Sequence, residues 1–413
     1  MIDKKDTDRS NPKNYRPISL TNSIVKIIEK LVKTRLDKFL VDNKIISMYQ
    51  SGFRNNRSTV DNLMYFAEKT YQAQFSSQRN KVCGVVFDIA KAFDKVWIAG
   101  LTYKLHQLKL PSKLGLWITN FIKGRKFFVK LNNYKSDMFN IETGVGQGTI
   151  LSPTLFSIYI NDITKLNEYP NDKIQSLLFA DDLFSFVIDI NVRRLIILMQ
   201  RYLDSLEIWL NTWRMQIAPN KCSFTIYLGK VPILISNNSL SLKIYNQKIS
   251  MDHQSKYLGL NMDRQLSFNQ HTNIIIQKCT KHLNILRNLA YKRWTLDTHQ
   301  QIIVYKVLIR SCMEYASPLT QLRMVNIKTL QGIQYNALRI IFKAPLATSS
   351  AELHTRAKIE TIRSRIAKLS QNYLNNANKY NNELIVQLER NRPMIDNKPL
   401  HLKSPIDIIK DNQ

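Results

Sequence analysis

The sequence predicts an α+β chain of more than one domain, with a sheet in its front part and a basic helical region behind it. Three observations carry this. At 413 residues, with 44% hydrophobic and 10% aromatic residues, the chain is too long for one ordinary core and apolar enough to fill several. Up to about residue 263, short β-branched runs alternate with amphipathic helical patterns. Beyond Tyr257-Leu258-Gly259-Leu260 only long helical periods follow, and Arg264 to Asn372 carry 17 Lys/Arg against four acids, a net of +13.

In order along the chain, Ser23 to Val32 with Leu36, Phe39 and Leu40 repeats at helical spacing behind Thr21 to Ser23 as caps. Asn62 to Phe75 reads as a second helix. Val82 to Phe87 is short, apolar and β-branched, a buried strand ending at Asp88. Leu101 to Ile122 is helical but interrupted near Pro111. Phe127 to Leu131 and Phe139 to Thr143 flank Asn132-Asn133 as a hairpin. Pro153 to Asn161 fits helix and strand equally. Ser176 to Ala180 and Leu183 to Val187 form a second hairpin with Asp181-Asp182 between its arms. Arg193 to Asn211 is an amphipathic helix, and Cys222 to Tyr227 and Lys243 to Ile249 are strands. Thr272 to Tyr291, Asp297 to Cys312 and Val325 to Phe342 are helices, and from Tyr373 the dominance of Asn, Lys and Pro predicts a weakly ordered tail.

Charge narrows the partner. Lys and Arg number 60 against 31 acids, a formal +29 that repels itself unless a polyanion neutralises it. Nucleic acid comes first and an anionic membrane second. The four cysteines are far apart, with no Cys-x-x-Cys pair and no His at zinc-finger spacing, so a disulfide framework and a zinc knuckle are disfavoured. No apolar run reaches the ~18 residues of a membrane span, and Met1-Ile2-Asp3-Lys4-Lys5 is no secretory signal. The expectation is a protein of the cytoplasm or nucleus with no membrane partner.

Asp88 at the end of one buried strand, and Asp181 with Asp182 between two others, are the residues that point to chemistry. Carboxylates crowded at a sheet edge repel unless a divalent cation joins them. Such a set suits two-metal nucleotidyl transfer, in which one ion activates a hydroxyl and the other neutralises the leaving pyrophosphate. An Asp-Asp pair in isolation is more often simply a turn.

The run Phe87-Asp88-Ile89-Ala90-Lys91-Ala92-Phe93-Asp94, followed by Phe179-Ala180-Asp181-Asp182, resembles the palm motifs of reverse transcriptases, specifically those of Jockey-like, non-LTR (LINE-type) retrotransposons. Further blocks come in that family's order: Asn14 to Leu20, Gln50-Ser51-Gly52-Phe53-Arg54 with Arg57-Ser58-Thr59, Gly144 to Gly148 with Leu151-Ser152-Pro153, Asn220-Lys221-Cys222, and Tyr257-Leu258-Gly259. Each block is weak, but together they span most of the first 350 or so residues.

The resemblance implies a right-hand polymerase with fingers at 1–80, palm at 81–263, helical thumb at 264–345, and a basic helical extension with tail at 346–413. It implies RNA-templated extension of a DNA primer by dNTPs, with Asp88, Asp181 and Asp182 holding two Mg²⁺, for which Mn²⁺ could substitute. Phe93 matches the steric gate beneath the incoming sugar; Gln147 and Gly148 match the nucleotide-contacting loop. Lys221 matches a proton donor to pyrophosphate, and Arg16, Arg57 and Lys4 match residues near triphosphate or template. Asp94 is expected to cap a helix. The family carries Pro where this chain has Gly146. No endonuclease-like segment is expected in these residues. The rival reading is a catalytically silent RNA- or DNA-binding relic of a truncated element; an RNA-making polymerase is disfavoured by Phe93.

Overall fold

In the computed structural model, which describes residues 2–3, 11, 14–74, 76, 78–131, 133–167, 174–227, 240–291, 296–320, 324–390 and 404–411, the apolar runs converge on one six-stranded sheet. Its order is Leu242–Ile244, Gln247–Met251, Ser223–Tyr227, Lys81–Asp88, Asp182–Asp189, Ile174–Phe179. Neighbours are antiparallel except Ser223–Tyr227 beside Gln247–Met251. The central strand Lys81–Asp88 is covered on both faces, which is why it reads as a continuous apolar run. Cys83, Val85 and Phe87 belong to a core shared with the helices Ile98–Gln107, Ser152–Ile160 and Val192–Thr212. Val82, Phe184, Phe186 and Tyr227 belong to a second core roofed by the helix Thr59–Gln74, whose Phe66 ring lies 4.7 Å from Phe184 and 5.0 Å from Tyr227.

A third core is built by helices alone: Asn269–Tyr291, Thr298–Tyr305, Met324–Phe342, Ser350–Ala357 and the start of Ile362–Lys379. Asp297 and Gln300 form a reciprocal capping box at the second of these. Among the described residues no helix is long and apolar enough to cross a membrane.

Pro111 does divide the 101–122 run, into Ile98–Gln107 and Ser112–Ile122. The undecided stretch at Pro153 is the helix Ser152–Ile160, with the proline in its first turn, where its missing N–H costs nothing. Two expectations need correction. Lys243 to Ile249 is not one strand but a hairpin, Leu242–Ile244 against Gln247–Met251, turned at Tyr245 and Asn246, both left-handed (φ 50 and 58). A Tyr-Asn turn lacks the glycine that would have announced it. Nor is the region after Tyr373 a weakly ordered tail where it is described. Glu383–Arg390 and Pro405–Asp411 are helices, and Leu374, Leu384, Ile385, Leu388, Ile406 and Ile409 fill the second core beneath Thr59–Gln74. Tyr373 donates its hydroxyl to the buried Asp61 at 2.9 Å.

Candidate active site

Antiparallel register places Asp88 directly opposite Asp182, while Phe179 pairs with Asp182 from the other side. Asp181 therefore stands on the tight turn beside both. Burial pushes its carboxyl above the usual range, and the Asp88 charge adds to this while Arg16 opposes it. Asp182 is open to solvent, yet its carboxyl is pushed up to about 6, first by desolvation from the groups around it and then by Asp181 and Asp88. Three crowded carboxylates, two of them pushed up in part by their neighbours, make a hard oxygen set that a divalent cation would stabilise, so the donor chemistry fits Mg²⁺. Lys221, on the short turn Pro219–Lys221, forms an ion pair with Asp88 Oδ2 at 2.8 Å. Among the described residues no group of three His, Cys, Asp or Glu side chains is drawn to ligating closeness; Asp88 is engaged by Lys221 instead.

The hairpin turn is held from outside its own sheet. Ala180 is left-handed (φ 58), a conformation that costs an L-residue about 1 kcal/mol. Its N–H donates to Gln50 Oε1 at 3.2 Å, and the same oxygen accepts the Gly52 N–H at 2.9 Å. Ser51 N–H donates to Leu178 O and Leu178 N–H to Tyr49 O, both at 2.9 Å. Asn62 donates to Leu178 O at 2.9 Å and accepts from Ser51 Oγ at 2.6 Å. A Cβ on Gly52 would lie 2.1 Å from Ala180 N, so only glycine admits this approach. The Gln50-Ser51-Gly52 block thus straps the turn that carries Asp181. The motif showed in the sequence, but the use of Gln50 and Asn62 did not.

Phe93 is half-buried, stacked on Phe156 at 4.6 Å and met edge-on by Phe53 at 6.1 Å. Gln147 Nε2 donates to Asp94 Oδ1 at 2.8 Å. Asp94 therefore orients Gln147 and does not cap a helix; the next helix has Trp97 as its N-cap, with no side-chain cap bond. The glycine loop is pinned by Gly144 N–H to Val96 O, Val145 N–H to Phe93 O, and Ser19 N–H to Gln147 O, at 2.7–2.8 Å. Gly148 lies against Ser19 O, and a Cβ at Gly146 would come within 2.8 Å of Thr149 and 2.9 Å of Ser19 Oγ. Ser19 thus occupies the space that a larger residue at 146 would need. Sequence reasoning missed Glu29: fully buried, its carboxylate accepts the Ile150 and Leu151 N–H groups at 2.7 and 3.1 Å, at the positive end of the helix Ser152–Ile160. An acid among apolar residues of Ser23–Asp42 was the only signal.

The basic candidates separate. Arg16 acts on Asp181, whereas Arg57 senses Asp61, Glu383 and Tyr373, at the seam with the C-terminal helices. Lys4 lies outside the described residues.

Residues 2–262 match the family described as reverse transcriptase (RNA-dependent DNA polymerase). The chain is 28% identical over 393 residues to the RNA-directed DNA polymerase from mobile element jockey of Drosophila melanogaster, covering 94% of this chain and 42% of that protein. It is 27% identical to the probable RNA-directed DNA polymerase from transposon BS of the same fly, over 95% and 43%. The chain thus spans less than half the length of these curated relatives. Among solved structures, apo telomerase from Candida tropicalis aligns over 87% of this chain and 60% of its own, at 11% identity and a TM-score of 0.42. With the family model matched from the first strand through the Tyr257-Leu258-Gly259 block, the chain belongs to the reverse transcriptase family.

Proposed function

We propose that this chain is the polymerase segment of a non-LTR retrotransposon, extending a DNA 3′ end with dNTPs on an RNA template, with fingers at 1–80, palm at 81–263, thumb at 264–345 and a C-terminal extension beyond. One observation carries the reading: strand register brings Asp88, Asp181 and Asp182 to one end of the sheet, where Asp88 raises the cost of ionising both of the others. These carboxylates would hold two Mg²⁺ (or Mn²⁺), whose bound chemistry is to lower the pKa of the primer hydroxyl and offset charge on pyrophosphate. The protein's own part is positioning. Lys221, held at Asp88, is the proton donor at hand for the leaving group. Arg16 offers a guanidinium fork to the triphosphate from the Asp181 side. Phe93, backed by Phe156, presents a ring edge against a 2′-hydroxyl, and Gln147, fixed by Asp94, contacts the nucleotide beside Gly148.

Asp181→Asn should abolish primer extension on an RNA template while leaving template affinity within about twofold, because groove binding rests on the +29 charge and not on this carboxylate. Extension surviving in the variant would rule out the assignment. Wild-type protein that binds RNA but extends no primer would establish the silent-binder reading.

A further inference from the structure

Between the helix ending at Ile122 and the Gly144 loop the chain leaves the body of the protein as a two-stranded ribbon. Lys126–Phe127 pairs with Phe139–Asn140, and Lys130–Leu131 pairs with Tyr134–Lys135. All eight of these residues are exposed, and none contributes to any of the three cores. An isolated two-stranded hairpin in water is marginal at best. This one is further burdened by its side chains. Lys130 stands directly opposite Lys135, a like-charge pair that opposes strand pairing. Phe127, Phe128, Phe139 and Tyr134 are left 43%, 43%, 51% and 83% exposed. Between positions 123 and 139 there are five basic residues against the single acid Asp137. Lys135 Nζ lies 4.2 Å over the Phe128 ring, and the Phe127 and Phe139 rings lie 5.7 Å apart across the ribbon.

The base of the ribbon is fastened to the site. Arg125 donates through Nε to Ile122 O at 3.2 Å and through Nη2 to Gly144 O at 2.7 Å, and Ile141 N–H donates to Arg125 O at 2.8 Å. Gly144 N–H is in turn bonded to Val96 O, two residues after the Asp94 that holds Gln147. An exposed tip on a root fixed beside the nucleotide loop is placed to meet what enters or leaves that loop.

We propose that the 125–141 ribbon binds single-stranded RNA, the unpaired part of the template, with bases stacked on Phe127, Phe139 and Tyr134 and phosphates met by Lys126, Lys130 and Lys135. The chemistry selects this occupant. Stacking on aromatic rings needs unpaired base faces, which a duplex keeps inside. The opposed lysines need a polyanion, and a second copy of the same basic ribbon would repel. An anionic membrane would satisfy the charge but not the attachment to the Gln147 loop. That the strand is the template rests on the polymerase reading above; that the ribbon binds it can be tested without catalysis.

The test uses the full chain and four labelled probes: a U-rich 15-nucleotide RNA, the same strand annealed to DNA, a DNA strand of equivalent sequence, and phosphatidylserine vesicles. Phe127→Ala, Phe139→Ala and Tyr134→Ala should each weaken binding of the single-stranded RNA about tenfold, with the hybrid changed less than twofold. Lys130→Gln with Lys135→Gln should lower the salt dependence of RNA binding by about 1.4 in log–log slope, at about 0.7 per lost phosphate contact. The same double variant should melt no lower than wild type, because it removes the like-charge pair, so weakened binding in it cannot be ascribed to unfolding. Unchanged RNA affinity, equal loss on the hybrid, loss confined to the DNA strand or to vesicles, or a change in oligomeric state on sedimentation would each overturn the proposal. The ribbon effect persisting in a wild-type protein that extends no primer would support it and count against the polymerase reading alone.

Discussion

The close approach of Gly52 to the Ala180 backbone tests the strap directly. In Gly52→Ala the new methyl would lie 2.1 Å from Ala180 N, 2.8 Å from Phe179 C and 2.9 Å from Ala180 Cα, all backbone atoms that no rotamer change can move. Restoring ordinary contact near 3.4 Å shifts the turn by about 1.3 Å relative to the strap. The bonds that join the two stand at 2.9 Å for Ser51 N–H to Leu178 O and Leu178 N–H to Tyr49 O, and 3.2 Å for Ala180 N–H to Gln50 Oε1. A shift of that size breaks most of them, at about 1 kcal/mol each, leaving buried donors unpaired; the expected loss is about 2–4 kcal/mol. Asp181 follows Ala180 directly, and a misplacement of about 1 Å costs on the order of a hundredfold in rate. Urea unfolding of the variant, with primer extension and template affinity measured on the same preparation, reads both effects. Affinity should hold while stability and extension fall. Wild-type stability together with a wild-type extension rate would refute the claim that the strap positions the turn that carries Asp181.

Two further outcomes follow from side-chain surroundings. Phe93→Val should raise the ratio of ribonucleotide to deoxynucleotide incorporation if the ring excludes a 2′-hydroxyl; an unchanged ratio with both rates depressed would leave Phe93 as packing on Phe156, with a stability loss of about 1–3 kcal/mol. Lys104 is buried with Nζ 2.6 Å from Asp162 and 3.6 Å from the Trp213 ring centroid, and burial lowers its pKa to about 8 although Asp162 opposes the shift. The folded value lies below the ordinary lysine value of 10.5, so the unfolded chain binds more protons between the two, and stability should climb from pH 8 to 10.5 by up to about 3 kcal/mol. Lys104→Met should flatten that climb in urea titrations; an identical pH dependence in both proteins would refute it.

What the sequence determined by itself was everything written in local pattern. The apolar run 82–87 announced a doubly covered strand because its burial on both faces leaves no polar alternation, and the break at Pro111 announced two helices because proline cannot continue one. Asp88, Asp181 and Asp182 were legible because each interrupts an apolar run at the point where a buried strand ends or turns. Tertiary structure alone decided that Asp88 faces Asp182, since register is a relation between strands more than 90 residues apart. It also decided that Gln50 grips Ala180, that Glu29 caps a helix beginning at Ser152, and that Asp94 serves Gln147, because each joins segments whose separate patterns carry no trace of the other. The C-terminal helices went unread for the same reason. Leu384, Ile385, Leu388, Ile406 and Ile409 are too few and too closely hedged by polar residues to mark a core, and become one only beneath the helix Thr59–Gln74, which lies some three hundred residues earlier and supplies the apolar surface they complete.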